Sequence, residues 1–151
     1  MNENWPRWFF ASITKHFDDQ TTSKLFVEGE PRLTWEDQDF LECRVDGPSF
    51  VQLDSKTWRA IVDVNILVQS VINNADMHKI HRMVGEVAVA FSLPLQIFQY
   101  GDDDALLACL ELVQDLRSKE LLVIAHFGQV NPNQPLLQAT VGGRFKTNIE
   151  L

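Results

Sequence analysis

The chain has 151 residues, 45% of them hydrophobic, enough for one compact domain whose core needs no metal or disulfide framework. Its formal charge of −8 disfavours nonspecific adhesion to nucleic acid or anionic membrane, because the phosphate attraction behind such binding has the wrong sign. Cys43 and Cys109 form no paired motif and read as free thiols. No apolar run nears the roughly 20 residues of a membrane span, and Met1-Asn-Glu-Asn-Trp-Pro6 lacks signal-peptide character, so a soluble cytosolic product is expected.

Pro6 suits a first helical turn, and Trp5, Phe9, Ile13 and Phe17 follow at four-residue steps, which predicts an amphipathic helix ending near Asp18 to Ser23. Leu25 to Glu28 reads as a strand broken by Gly29-Glu-Pro31, and Leu41 to Val45 as another, closed by a turn at Asp46-Gly-Pro48. Phe50 to Leu53 then leads through Asp54-Ser55 into a long strand, Lys56 to Gln69. Trp58, Ala60, Val62, Val64, Ile66 and Val68 share one face of it; Thr57, Arg59, Ile61, Asp63, Asn65, Leu67 and Gln69 share the other. Ile61 and Leu67 interrupt the polar run, so a cover is expected there, either a loop or helix of the same chain or a neighbouring subunit.

Asp76 is placed to cap a second helix in which Met77, Ile80, Val84, Val87, Ala88 and Phe91 form an apolar stripe facing the sheet. Pro94 ends it, and Leu95 to Tyr100 reads as a strand. After the loop Gly101-Asp-Asp-Asp104, the segment Ala105 to Val113 fits a helix capped by the aspartates. It fits equally a strand paired with Leu121 to Phe127 across Ser118-Lys-Glu120, and its alternation leans toward strand. Asn131 to Pro135 is a loop. The stretch Leu136 to Leu151 alternates throughout: Leu137, Ala139, Val141, Phe145, Ile149 and Leu151 lie on one face with Gly143 and Thr147, and Gln138, Thr140, Arg144, Lys146, Asn148 and Glu150 on the other. This strand is expected to pair with Lys56 to Gln69 and to pack its apolar face under Met77 to Phe91. The predicted class is α+β, a mostly antiparallel twisted sheet with an N-terminal helix and a central amphipathic helix packed on it, in a single domain spanning 1–151.

Reactive groups are sparse. His78 and His81 stand three apart on a helix, but zinc sites normally draw on three or more protein ligands and no third is specified, so the polar side of the helix is the better reading. Asp102, Asp103 and Asp104 lack the alternating ligands and central glycine of a calcium loop. No nucleophile elbow surrounds Ser12, Ser49, Ser55, Cys43 or Cys109, and no phosphate-binding loop is present. Val141-Gly-Gly-Arg144 sits inside a strand, where the glycines suggest a bulge or a close approach between chains. Trp5, Trp8, Trp35 and Trp58 read first as core or core edge, with interface anchoring as a second use. No catalytic residue, no metal ligand and no cofactor is expected.

The run Leu25-Phe-Val-Glu-Gly-Glu-Pro-Arg-Leu33, the strand Leu53 to Val68, the helix after it and the strand Gln138 to Leu151, in that order, resemble the tail-terminator family of long-tailed bacteriophages. The stretch from Asp102 to Gln134 is longer than in compact members. The resemblance implies a virion protein, assembled in the host cytoplasm, that forms a ring, six subunits being the number implied. Such a ring caps the last ring of tail-tube protein, stops elongation, and meets a neck or head-completion protein. Genomic DNA would pass through the lumen without specific binding, as an acidic wall allows, and no membrane is involved. On this reading Arg59, Ile61, Asp63 and Leu67, with the loop Asp102, Asp103 and Asp104, are the candidates for subunit contacts or the lumen. Another head-to-tail connector or neck adaptor is an alternative. More distant is a small enzyme with a dispersed site of Asp63, Cys109 and His126.

Overall fold

The computed structural model describes residues 2–30, 39–73, 75–101, 103–129, 132–133 and 135–150. In chain order it contains α1 (Trp5–Gln20), β1 (Leu25–Val27), β2 (Phe40–Gln52), β3 (Thr57–Val71), α2 (Lys79–Ser92), β4 (Leu95–Gln99), β5 (Ala105–Leu112), β6 (Val123–Gln129) and β7 (Leu136–Glu150). The strands form one sheet in the order β1-β2-β3-β7-β5-β4, with β6 also alongside β7. Among the described residues only β1 and β2 run parallel; the other pairs are antiparallel, so the class is α+β.

The expected pairing of the two long strands is present in unbroken register, from Thr57 opposite Glu150 to Val71 opposite Leu136. Their alternation matches their burial, in β3 up to Val68; beyond it Gln69, expected on the polar face, and Ser70 are buried as well. Ala60, Val62, Val64, Ile66 and Val68 from β3 and Ala139, Val141, Phe145 and Ile149 from β7 are buried on the inner face. Both helices contribute to that face: Trp5 and Phe9 meet Phe50 at ring separations of 5.3 and 5.9 Å, Phe17 meets Phe91 at 4.7 Å, and Phe91 stacks on Phe145 at 5.7 Å. Each large side chain enclosed there stabilises the fold by roughly 1.5–3 kcal/mol before the entropy of ordering is subtracted.

Several expectations are corrected. Asp46-Gly47-Pro48 is not a turn between two strands; β2 runs through it, and the register slips by one residue between Asp46 opposite Asp63 and Ser49 opposite Ile61. The extra residue is absorbed as a β-bulge because the ladder to β3 holds on both sides of it. Asp76 does not cap α2. The N-cap position is His78 with no side-chain cap, while the Asp76 carboxylate binds the Arg82 guanidinium. Starting the helix late leaves Met77 76% exposed, and the buried stripe is Ile80, Met83, Val84, Val87, Ala90 and Phe91.

The segment Ala105–Leu112 is a strand, as its alternation suggests, but it does not pair with the stretch beginning at Leu121. β5 pairs with β4 and, among the described residues, enters the ladder to β7 at Glu111 and Leu112, whereas β6 lies along β7 from Val123 opposite Gly142 to Gln129 opposite Leu137. One long strand thus serves two shorter ones on the same edge. The glycine pair in β7 makes no bulge against β3. A Cβ on Gly143 would lie 3.0 Å from Leu112 Cδ2, 3.1 Å from Leu122 Cδ2 and 3.2 Å from Phe91 Cε1, so the close approach is made by side chains of the same chain.

A candidate assembly surface on the outer sheet face

On the opposite face of β3 and β7, Glu42 and Gln69 are buried at the end near Leu67, and the segment between β5 and β6 lies over part of the rest. Arg59 is exposed there; Ile61, Asp63 and Leu67 are half-buried. Register sets their neighbours: Ile61 lies between Ser49 and Lys146, Asp63 between Asp46 and Arg144, and Leu67 between Glu42 and Thr140. Two carboxylates facing each other across β2 and β3 repel, and Arg144 offsets this with a forked bond to Asp63, Nε to Oδ1 at 2.7 Å and Nη2 to Oδ2 at 3.0 Å. The Asp63 carboxylate, with Asp115 adding a smaller attraction, raises the Arg144 pKa further. Both side chains are about half exposed, so the pair contributes on the order of 0–1 kcal/mol. Asp63 is therefore already engaged within its own chain. Arg59 donates to Asn148 Oδ1 at 3.3 Å, a long bond between exposed groups.

Residues 113–122 overhang this face and enclose a groove of about 780 Å³ lined with charge, including Arg44, Asp46, Asp63, Asp115, Arg117 and Arg144. The overhang holds its own shape. Asp115 Oδ1 accepts from the backbone N–H groups of Arg117 and Ser118, each at 2.8 Å, and its N–H donates to the Glu120 carbonyl at 2.9 Å. Those N–H groups, Ser118 first and Arg117 next, hold the Asp115 carboxyl below its ordinary value. Sequence reasoning assigned this aspartate no role. The signal that marks it is its place ahead of Ser118-Lys119, in a turn closed by its own side chain.

Asp103 and Asp104 form part of the exposed β4–β5 turn, both with positive φ, and Asp102 lies outside the described residues. β5 runs antiparallel to β7 from Glu111 opposite Lys146, so this turn lies toward the end of the sheet where Arg59 stands opposite Asn148. The dispersed trio does not meet. Asp63 faces outward beside Arg144, His126 sits opposite Ala139, five positions along β7 on the other face, and Cys109 is opposite Gln96. Cys109 is exposed, whereas Cys43 is buried, and burial pushes its thiol up to about 12. Trp5 and Trp8 belong to the core. Trp58 is half-buried, with an indole N–H that finds no partner among the described residues, and Trp35 lies outside them.

His126 brings a third imidazole to His78 and His81. The His81 and His126 rings are 4.9 Å apart and the His78 and His81 rings 6.2 Å. Among the described residues no three His, Cys, Asp or Glu side chains are arranged to hold a metal ion. The strand carrying His126 is thinly covered: Val123, Ile124 and Phe127 are 57%, 47% and 56% exposed, and Leu116 and Leu121 just before it are exposed as well. No protein-family model and no curated protein sequence matches the chain.

Proposed function

We propose that the protein is a structural virion component that assembles with copies of itself into a ring, caps the end of a phage tail tube, and joins it to a neck or head-completion protein. The observation that carries this reading is the outer face of β2, β3 and β7. It is long and free of helices among the described residues, and on it Ile61 and Leu67 are half-buried among charged and polar neighbours, of which Glu42 is buried within the chain. A face of that composition suits a protein partner better than water alone. The formal charge of −8 also suits a lumen through which DNA slides without being held.

Arg59, Ile61 and Leu67 are the contacts we assign to the ring, with Asp63 acting through its forked bond to Arg144. Isolated tail tubes mixed with the protein should acquire a terminal ring visible by negative-stain imaging and should no longer elongate. Ile61→Asp and Leu67→Asp should abolish the ring and leave a folded chain by circular dichroism. Tubes that keep growing in the presence of the native protein would reject the capping function. Unfolding of both variants would move Ile61 and Leu67 into the core and remove them as ring contacts.

A further inference from the structure

We infer that the open edge of β6 is a docking site for the β6 of a second copy, which would join the two sheets antiparallel about a twofold axis. β6 has one strand neighbour among the described residues, β7, and both of its faces are exposed. Natural edge strands are blunted by shortness, lysine, proline, a bulge or a covering element. Val123-Ile-Ala-His126 pairs with β7 in regular register and has no lysine, proline or bulge, and the register slips past it, at Phe127, so the bulge lies at the end of this edge. An edge of this kind is completed by an extended backbone, which supplies the missing ladder, with apolar side chains on both sides of it.

Charge selects the occupant. Two chains of charge −8 repel wherever their carboxylates approach, yet from Leu121 to Gly143 the sequence contains no Asp, Glu, Lys or Arg. This is where like-charged copies meet at least electrostatic cost. The other edges of the sheet are unsuitable as a strand partner. β1 is three residues long, β4 is covered by α1, and β2 beyond β1 carries Arg44, Asp46 and the bulge with Pro48, which has no N–H to donate. β6 is left to pair with itself. With Ala125 on the axis, Val123 of one copy faces Phe127 of the other on one face, an apolar pair made twice, and Ile124 faces the uncharged face of the His126 ring on the other. The contact is isologous and closes on itself, so it is distinct from the heterologous contacts that would build a ring.

The full-length protein should behave as a dimer in light scattering coupled to size exclusion. The double variant Val123→Lys, Phe127→Lys should raise the dissociation constant about tenfold or more, because two cross-strand pairs are lost and four like charges are brought together. Its circular dichroism should be unchanged. Ala125→Cys in a Cys109→Ser background should give a covalent dimer under air with copper phenanthroline, reversed by reductant. A native protein that stays monomeric at high concentration, a dimer that the lysines leave intact, association only with tail-tube protein, or an Ala125→Cys variant that assembles without cross-linking would each overturn the inference. None of these results decides whether tail tubes are capped, which is read separately from tube length.

Discussion

At β4 the sheet ends against a helix. Ser12 Oγ accepts the Phe98 N–H at 3.0 Å, and the Trp8 indole donates to the Tyr100 carbonyl at 3.1 Å, so α1 takes the place a further strand would occupy. At β6 the sheet ends in a strand that α2 reaches through the His81 ring against His126 and whose side chains are largely exposed on both faces. The difference separates two uses of an edge. One is finished inside the chain and belongs to the stability of the monomer; the other contributes little to that stability and is available to another chain.

The contrast is sharpest where a substitution reaches the shared core. Phe91→Ala removes a ring packed against Phe17 and Phe145 and should cost about 3–5 kcal/mol in denaturant unfolding, loosening both edges together. Next in size is a matched pair. Ser12→Ala leaves the Phe98 N–H without its acceptor and should cost about 1–3 kcal/mol, whereas Ile124→Ser on the open strand should change monomer stability by no more than about 0.5 kcal/mol. Equal losses at the two sites would erase the distinction drawn between the edges. Smallest is a pH effect on the overhang beside β6. The Asp115 carboxyl is depressed in the folded state, so its contribution is present above the ordinary value of 3.8 and is lost as pH falls through the lower folded value. Amide exchange at Arg117 and Ser118 should accelerate below that pH while the amides of β3 stay protected; simultaneous loss at both would make the overhang part of the core.

The parts of the fold legible in the sequence are those governed by local period. Alternation in β3 and β7 and the apolar stripes of both helices name their buried faces, because a pleated strand and a helix turn side chains at fixed intervals. Partner choice was legible for the two long strands, β3 and β7, but not for the shorter ones. β5 and β6 carry similar apolar runs separated by a plausible turn, and only the unoccupied length of β7 decides that they lie end to end along it instead of against each other. Asp46-Gly-Pro48 has turn chemistry, yet the ladder to β3 carries the chain past it as a bulge. Asp76 has capping chemistry, and Arg82 takes its carboxylate.

At the candidate surface, the face of β3 that holds Arg59, Ile61, Asp63 and Leu67 could be read from spacing alone. That Asp63 answers to Arg144 could not, since the two lie 81 residues apart in the chain.

The ladder between β3 and β7 also has a consequence for how the protein is made. Every bond in it, from Thr57 with Glu150 to Val71 with Leu136, spans α2, β4, β5 and β6. A ribosome adding about 5–20 residues per second releases β3 seconds before the strand that completes it. Throughout that interval one side of the sheet's central strand is bare, and the hairpin of β2 and β3 has only newly emerged helices to cover its apolar face. Contacts of such long sequence separation form slowly. The nascent chain is therefore most exposed to mispairing just before β7 arrives, and a slowly translated stretch ahead of Leu136 would lengthen that exposure.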